Sequence, residues 1–141
     1  MIVDTNELVH KYLMTSSTTN DPLIALISTR LYCPRLPENA TLPAVSFFTR
    51  GGSHDPNVVT IVSPSVQFDC WANDPIEARS IYIALNNALQ GIGNISVTID
   101  GTTYFIYKAR EETQGQDLVD SDIPNYFRVL TFYQITIRNE L

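Results

Sequence analysis

The sequence predicts an α+β domain: a mostly antiparallel sheet of four to six strands, one long helix packed on a face of it, and short helices near the N-terminus. Three features predict this fold class. A strand-like segment at 66–72 leads straight into an amphipathic helix at 74–90. An aspartate-glycine pair at 100–101 separates two alternating segments, which is a strong signal for a β-hairpin. A closing segment at 126–138 also alternates and predicts a long strand.

The helix predicted at 74–90 begins and ends at clear sequence signals. Asp74 occupies the N-cap position, Pro75 the first helical position and Glu77 the third. We therefore expect Asp74 to accept hydrogen bonds from free backbone N–H groups and Glu77 to reach back. Gly91 is placed to end the helix in the left-handed conformation. The apolar residues fall on one face at helical spacing: Ala78, Ile81, Tyr82, Leu85, Ala88 and Leu89.

The two most regular strand segments differ in how apolar their second faces are. In 66–72 the apolar residues alternate with mainly polar ones and predict one core face: Val66, Phe68 and Cys70. In 126–138 one face holds Phe127, Val129, Thr131, Tyr133, Ile135 and Ile137. The other face includes Leu130 and Phe132 and is partly apolar as well. We expect such a strand to be central in the sheet, or to be covered on its second face by another subunit.

Caps, prolines and turn-forming residues predict the remaining elements. A first helix is expected to start near Asp4 or Thr5, and a short second helix to follow the Asp21-Pro22 pair. Further strands are predicted at 30–33, 44–50 and 58–62. Polar, turn-rich or acidic stretches predict long loops near 15–20, 51–57 and 111–125.

Length and composition limit the possible function classes. The 141 residues are predicted to form a single domain, 1–141, that buries its own core. A net charge of −6 with scattered basic residues argues against sequence-independent nucleic-acid binding. We expect no membrane-spanning segment and no signal peptide, because no stretch has the required apolar length or pattern. The aromatic content of 10% fits a filled core and a subunit interface equally well.

The sequence offers no convincing catalytic, cofactor-binding or metal-binding motif. Cys33 and Cys70 form no C-x-x-C pair, and the other potential ligands are spread singly. Ser53 and His54 are adjacent, a spacing that favours a turn over a hydrogen-bonded nucleophile and base. Cys70 shares the predicted core face and is interpreted as a small buried residue. A small hydrolase that uses Cys70 or Ser53 with His54 stays open as an alternative.

The order of elements and several local phrases resemble the family of tail completion, or tail terminator, proteins of tailed phages. The likeness extends over residues 5 to 138. Its phrases are Arg30-Leu31-Tyr32 after a short helix, Leu42-Pro43-Ala44-Val45-Ser46-Phe47 before Gly51-Gly52, Val66-Gln67-Phe68-Asp69-Cys70-Trp71-Ala72 followed by Glu77-Ala78-Arg79, and the closing Tyr126-Phe127-Arg128-Val129.

The resemblance implies a structural virion protein without enzymatic activity or cofactor. Such proteins form a ring, commonly of six subunits, on the head-proximal end of the tail tube, where the ring stops polymerisation and joins the tail to the head. The implied partners are other copies of this chain, the tail tube protein and the head-tail connector or head-closure protein. DNA passes through the ring without specific binding, and no membrane is involved. The implied location is the neck region of the virion tail, assembled in the host cytoplasm.

The acidic segment 111–125 is the candidate partner-interface loop, because its few apolar residues cannot order it alone. The candidate contact residues are Leu118, Val119, Asp120 and Asp122. Two further function classes stay open at this point. One is another neck or head-closure component of the virion, and the other is a monomeric ligand-binding module.

Overall fold

A computed structural model describes residues 4–54, 57, 61–119 and 126–139 of the chain. The helices are α1 (Thr5–Leu13), α2 (Asp21–Ile27) and α3 (Pro75–Leu89). The strands are β1 (Leu31–Tyr32), β2 (Ala44–His54), β3 (Ile61–Ala72), β4 (Gly93–Ile99), β5 (Thr102–Val119) and β6 (Phe127–Asn139). The longest element is the strand β5 with 18 residues, and β3 and β6 have 12 and 13 residues.

The six strands form one mixed sheet in the order β1-β2-β3-β6-β5-β4. β1 runs parallel to β2, whereas every other neighbouring pair is antiparallel. The helices have only 9, 7 and 15 residues. The predicted fold class is therefore wrong: within the described residues a curled, mixed sheet is accompanied by three short helices, with no long helix. The parallel pair involves two residues of each strand, and no local sequence pattern specifies so short a pairing.

Side-chain caps fix the starts of α1 and α3 at the predicted positions. Asp4 Oδ1 accepts a hydrogen bond from the backbone N–H of Asn6 at 3.0 Å. Asp74 Oδ1 accepts one from the backbone N–H of Ile76 at 2.8 Å. Gly91 follows α3 with φ +81°, the left-handed conformation expected of a helix stop. Both helix starts therefore depend on an aspartate that satisfies an otherwise unpaired N–H group.

The start of α2 differs from the prediction. Asn20, rather than Asp21, is the N-cap residue, and Asp21 is already helical. The Asn20 side chain makes no capping bond but donates to the carbonyl oxygens of Tyr12 at 2.8 Å and Thr15 at 3.1 Å. It thus joins the start of α2 to carbonyl groups at the end of α1.

One continuous core lies between the three helices and one face of the sheet. The predicted core residues of β3 are confirmed, since Val66, Phe68 and Cys70 are each 0% exposed. Of the predicted inner face of β6, Phe127 is only partly buried, and the other five residues are buried: Val129, Thr131, Tyr133, Ile135 and Ile137. β6 lies between β3 and β5, so the strand that is apolar on both faces is central, as expected.

β5 occupies most of the segment that was predicted to be a loop. It continues to Val119, and its last residues pair with β6, from Gln116 opposite Leu130 to Val119 opposite Phe127. The loop prediction is therefore wrong over 111–119, and residues 120–125 lie outside the described part. Two register shifts, on either side of Thr113, interrupt the alternation that would have revealed a strand.

Contacts with α3 hold the far end of β5 in place. Gly115 donates its N–H to Tyr82 Oη at 3.1 Å, and Arg79 donates to the Gly115 carbonyl at 3.1 Å. A Cβ atom on Gly115 would lie 2.7 Å from the Tyr82 ring, so any other residue would require this ring to shift. Arg79 also forms an ion pair with Asp117 at 3.2 Å. Gly115 therefore permits close packing here, whereas composition alone had suggested a loose chain.

The predicted loop at 51–57 also begins as strand. β2 continues to His54 and Asn57 lies in a bend, whereas 55–56 and 58–60 lie outside the described residues. A register shift follows Thr49, where the β2–β3 pairing resumes at Gly52 opposite Pro64. A Cβ atom on Gly52 would lie 2.3 Å from the backbone carbonyl oxygen of Ser63. A glycine is therefore required at this bulge.

Replacement of Asp74 tests the cap of α3. Asp74→Ala is expected to lower the free energy of unfolding by about 1 kcal/mol, because the backbone N–H of Ile76 loses its acceptor. Chemical denaturation of both proteins measures the difference. Asp74→Asn retains a capping oxygen and should lose only a few tenths of that amount. Equal losses for alanine and asparagine would show that the capping bond is not what stabilises α3.

Candidate functional site

The face of the sheet turned away from the helices is the candidate functional surface. We call it the outer face; its residues come from the non-core positions of β2, β3 and β6. They are Phe48, Arg50, Gln67, Asp69, Trp71, Arg128, Leu130, Phe132 and Gln134. Most are only partly buried. Alternation against the core residues puts the outer residues of each strand on this face, and the register between β2, β3 and β6 brings the three sets together.

Arginine side chains lie over the large aromatic rings of the outer face. The Arg50 guanidinium is 4.0 Å from the centre of the Phe132 ring, and that of Arg128 is 5.2 Å from the Trp71 ring. The Trp71 indole N–H donates to Ser46 Oγ at 3.0 Å. A cation–π contact orders both the arginine side chain and the aromatic ring, and it leaves part of the ring surface accessible. The outer face therefore presents ordered aromatic groups beside positive charges.

Asp69 is a buried carboxylate within this surface. It is 5% exposed and lies 3.6 Å from the Arg128 guanidinium, measured at Oδ1, an atom that accepts no hydrogen bond from the described residues. Oδ2 accepts a long hydrogen bond of 3.3 Å from Gln67. Burial raises the pKa of Asp69, while the hydrogen bond from Gln67 and the charge of Arg128 partly oppose this rise. The ionised carboxylate is therefore incompletely compensated.

Asp69→Asn is expected to raise the free energy of unfolding near neutral pH by about 1 kcal/mol, the scale of one buried polar group. A raised folded-state pKa means that ionisation of Asp69 opposes folding. The penalty is absent below the unfolded pKa of 3.8 and develops as pH rises through the folded pKa. Denaturation at pH 3 and at pH 7 checks this, because the gain should vanish at the lower pH. A gain of equal size at both pH values would contradict the electrostatic cause.

The neighbouring carboxylates Glu111 and Glu112 of β5 each accept hydrogen bonds from other side chains. Glu111 accepts hydrogen bonds from Tyr82 Oη at 2.5 Å and Thr131 Oγ1 at 2.8 Å. Glu112 instead accepts one from Ser65 at 2.6 Å. The two carboxylates bond to different groups, and Glu111 links α3 to β6. This arrangement is structural, because no described acid–base partner shares a pocket with both.

The residues considered for a hydrolase do not form a catalytic arrangement in the described structure. Cys70 is 0% exposed, and burial raises the pKa of its thiol far above the normal value, so it is a poor nucleophile. Ser53 is exposed on β2, whereas the His54 side chain lies outside what the structure describes. Among the described residues, no three or more Cys, His, Asp or Glu side chains are grouped as metal ligands. None of the described helices has the length and apolar character needed to cross a membrane.

The four predicted partner-contact residues divide between two parts of the chain. Leu118 and Val119 are the last residues of β5. Asp120 and Asp122 lie outside the described residues. Leu118 borders a small cavity of about 110 Å³ between the start of α3 and the start of β6. The role of these residues in partner binding stays a prediction.

Comparisons with known proteins bear on the fold. No protein-family model matches the chain, and no curated protein matches its sequence. Among solved structures, a chain from the virion of a native gene transfer agent particle is similar, with a TM-score of 0.63 and 14% sequence identity. The similarity covers 96% of this chain and 95% of that chain. At this identity, the two proteins are shown to share a fold along nearly their whole lengths.

Proposed function

We propose that the chain is a structural virion protein of a tailed phage or phage-like particle. The observation that carries this proposal is the fold shared over nearly the full length with a chain of a gene transfer agent virion. Near-complete coverage of both chains means that the similarity is not limited to one shared module, and the proposed role extends this shared fold by analogy. The inaccessible thiol of Cys70 also favours a non-enzymatic role.

Within such a particle, the role that fits the sequence best is that of a tail terminator. In this proposal, copies of the chain form a ring, six in number by family resemblance, on the head-proximal end of the tail tube. The ring stops tube polymerisation and joins the tail to the head connector. DNA passes through the ring without specific recognition, in keeping with a net charge of −6.

The outer face is suited to the contact between neighbouring copies. A closed ring requires a head-to-tail interface in which two different surfaces of the same chain meet. The outer face presents Arg50 and Arg128 beside aromatic rings, while the chain as a whole carries net charge −6. A positive, aromatic patch on one copy therefore complements acidic surface elsewhere on the next.

Electron microscopy of the purified protein, alone and with purified tail tubes, tests the proposal. We expect rings on one end of each tube, and tube protein added afterwards should fail to elongate the capped end. Binding to isolated head connectors but not to tubes would favour the alternative of a head-closure or other neck component. Protein that remains monomeric and binds neither tubes nor connectors would overturn the proposal.

A further inference from the structure

β4 forms one edge of the sheet and, among the described residues, pairs only with β5. Its free backbone groups can be assigned from the hairpin turn Asp100–Gly101, whose residues have φ of 50° and 81°. In such a two-residue turn, the flanking pair Ile99–Thr102 exchanges both hydrogen bonds. Alternation then directs the N–H and C=O groups of Thr98 and Ser96 away from β5. No described group hydrogen-bonds to them there.

This edge lacks the usual protection against strand addition. Folded proteins block free edges with charged residues, prolines or very short strands. β1, at the other end of the sheet, has only two residues. β4 has seven residues and contains neither a proline nor a charge. Ser96 and Thr98 are exposed, so their outward backbone groups are accessible to a partner strand.

A groove runs along this edge between β4 and α1. It encloses about 530 Å³ and is lined by Tyr12 and Val97 on its apolar part, and by Lys11, Ser96 and Thr98 on its polar part. Lys11 is the one charged residue among the described residues that line it. A groove between an edge strand and a helix is a common site for an extended peptide, which gains main-chain hydrogen bonds from the edge and specificity from side-chain contacts.

We propose that this groove binds an extended segment of a different virion protein, which adds to β4 as a seventh strand. The inference rests on the proposed function in that the occupant is another protein of the same particle. Its backbone bonds to Ser96 and Thr98, an apolar side chain contacts Tyr12 and Val97, and a carboxylate lies beside Lys11. The occupant is therefore an acidic segment with alternating apolar residues.

A second copy of the chain is a less suitable occupant. The outward edge of β2 is covered at Phe47, which is 0% exposed, and its exposed residues from Arg50 to Ser53 lie at and just after a register shift that interrupts this edge. Within the described residues, the longest regular and exposed edge that a second copy offers is therefore β4. Pairing of two β4 strands would be two-fold symmetric, so it cannot link successive subunits of a head-to-tail ring. It would also place Lys11 of each copy at the same interface without a described acidic partner.

Amide hydrogen exchange, compared between the free protein and assembled particles, tests the inference. The N–H groups of Ser96 and Thr98 should exchange rapidly in the free protein and at least tenfold more slowly in particles. The N–H of Val97 bonds within the sheet and serves as an internal control that is slow in both states. Unchanged rapid exchange of Ser96 and Thr98 in particles would overturn the inference.

A matched pair of variants tests the same edge by substitution. Ser96→Pro removes the outward N–H and blocks the edge, whereas Ser96→Ala retains this group. Incorporation into particles should fall about fivefold or more for proline and stay unchanged for alanine. Thr98→Lys is the second blocking variant should Ser96→Pro fail to fold. Equal incorporation of blocking and control variants would refute strand addition.

A photoreactive cross-linker at Ser96 distinguishes the source of the bound segment. In purified particles, the adduct should contain a second polypeptide of different mass and sequence. An adduct of two copies of this chain would contradict the proposal. Complete absence of the chain from particles would instead refute the proposed virion function, so the two failures are distinguishable.

Discussion

Phe68→Ala is expected to lower the free energy of unfolding by about 3–5 kcal/mol, a large share of the roughly 5–15 kcal/mol that stabilises a domain of this kind. Phe68 is 0% exposed at the centre of the sheet. Its ring stacks on Phe47 with centroids 5.8 Å apart and meets Tyr133 edge-on at 5.7 Å. Truncation removes contacts on both sides of the ring and leaves a cavity that three strands and α3 cannot easily close.

Denaturant unfolding of a matched pair separates this effect from the general loss of an aromatic ring. Phe48 lies on β2 but on the outer face, where it is partly exposed. Phe48→Ala should therefore cost less than about 1.5 kcal/mol. If Phe68→Ala is insoluble, Phe68→Leu should still be measurable, with a loss of about 1 kcal/mol. A larger loss at position 48 than at position 68 would mean that the two faces of the sheet have been assigned the wrong way round, and equal losses would contradict the expected difference in burial.

Local signals were sufficient to predict α3, the hairpin turn and the core faces. Asp74 and Gly91 mark a helix start and stop that depend only on neighbouring backbone groups. Asp100–Gly101 has the positive φ values that its turn type requires. Alternation along β3 identified Phe68 as a core residue, because one face of a strand must bury its side chains when it meets the helices.

The end of β5 could not be predicted because long-range contacts determine it. Its acidic residues and lack of alternation are typical of a loop, yet Arg79 compensates Asp117, and Tyr82 holds Gly115. Both α3 residues are more than thirty positions away in sequence. The parallel pairing of β1 with β2 could not be predicted either. It involves only two residues of each strand, which is too few to produce a periodic pattern in the sequence.

The candidate surface was only half predictable. The apolar second face of β6 indicated that something lies against it, and Leu130 and Phe132 are on the outer face as that pattern required. The contribution of β2 and β3 was not predictable, because it depends on register. Arg50 reaches Phe132 from two strands away, and Arg128 reaches Trp71 from the neighbouring strand. Such cross-strand pairs follow from the sheet order and from no single segment.

Phe132→Gln is expected to reduce ring formation on tail tubes by about 30-fold or more while leaving the chain folded. Phe132 lies near the middle of the outer face, beneath the Arg50 guanidinium at 4.0 Å. Loss of a central aromatic anchor from an interface typically costs about 2 kcal/mol, which corresponds to that factor in the association constant. Since the side chain is only partly buried in the single chain, the cost to folding should be much smaller.

Two further variants identify the cause of the loss. Gln134→Ala alters the next outer-face residue of β6, which is already polar and accepts a hydrogen bond from Arg110 at 3.1 Å, so capping should change little. Phe132→Tyr retains the ring beneath Arg50 and should preserve most capping activity. Tube-length distributions from electron microscopy measure all three variants. Normal capping by Phe132→Gln would exclude the outer face as the contact between copies, because the aromatic and cationic groups that distinguish this surface would then be dispensable.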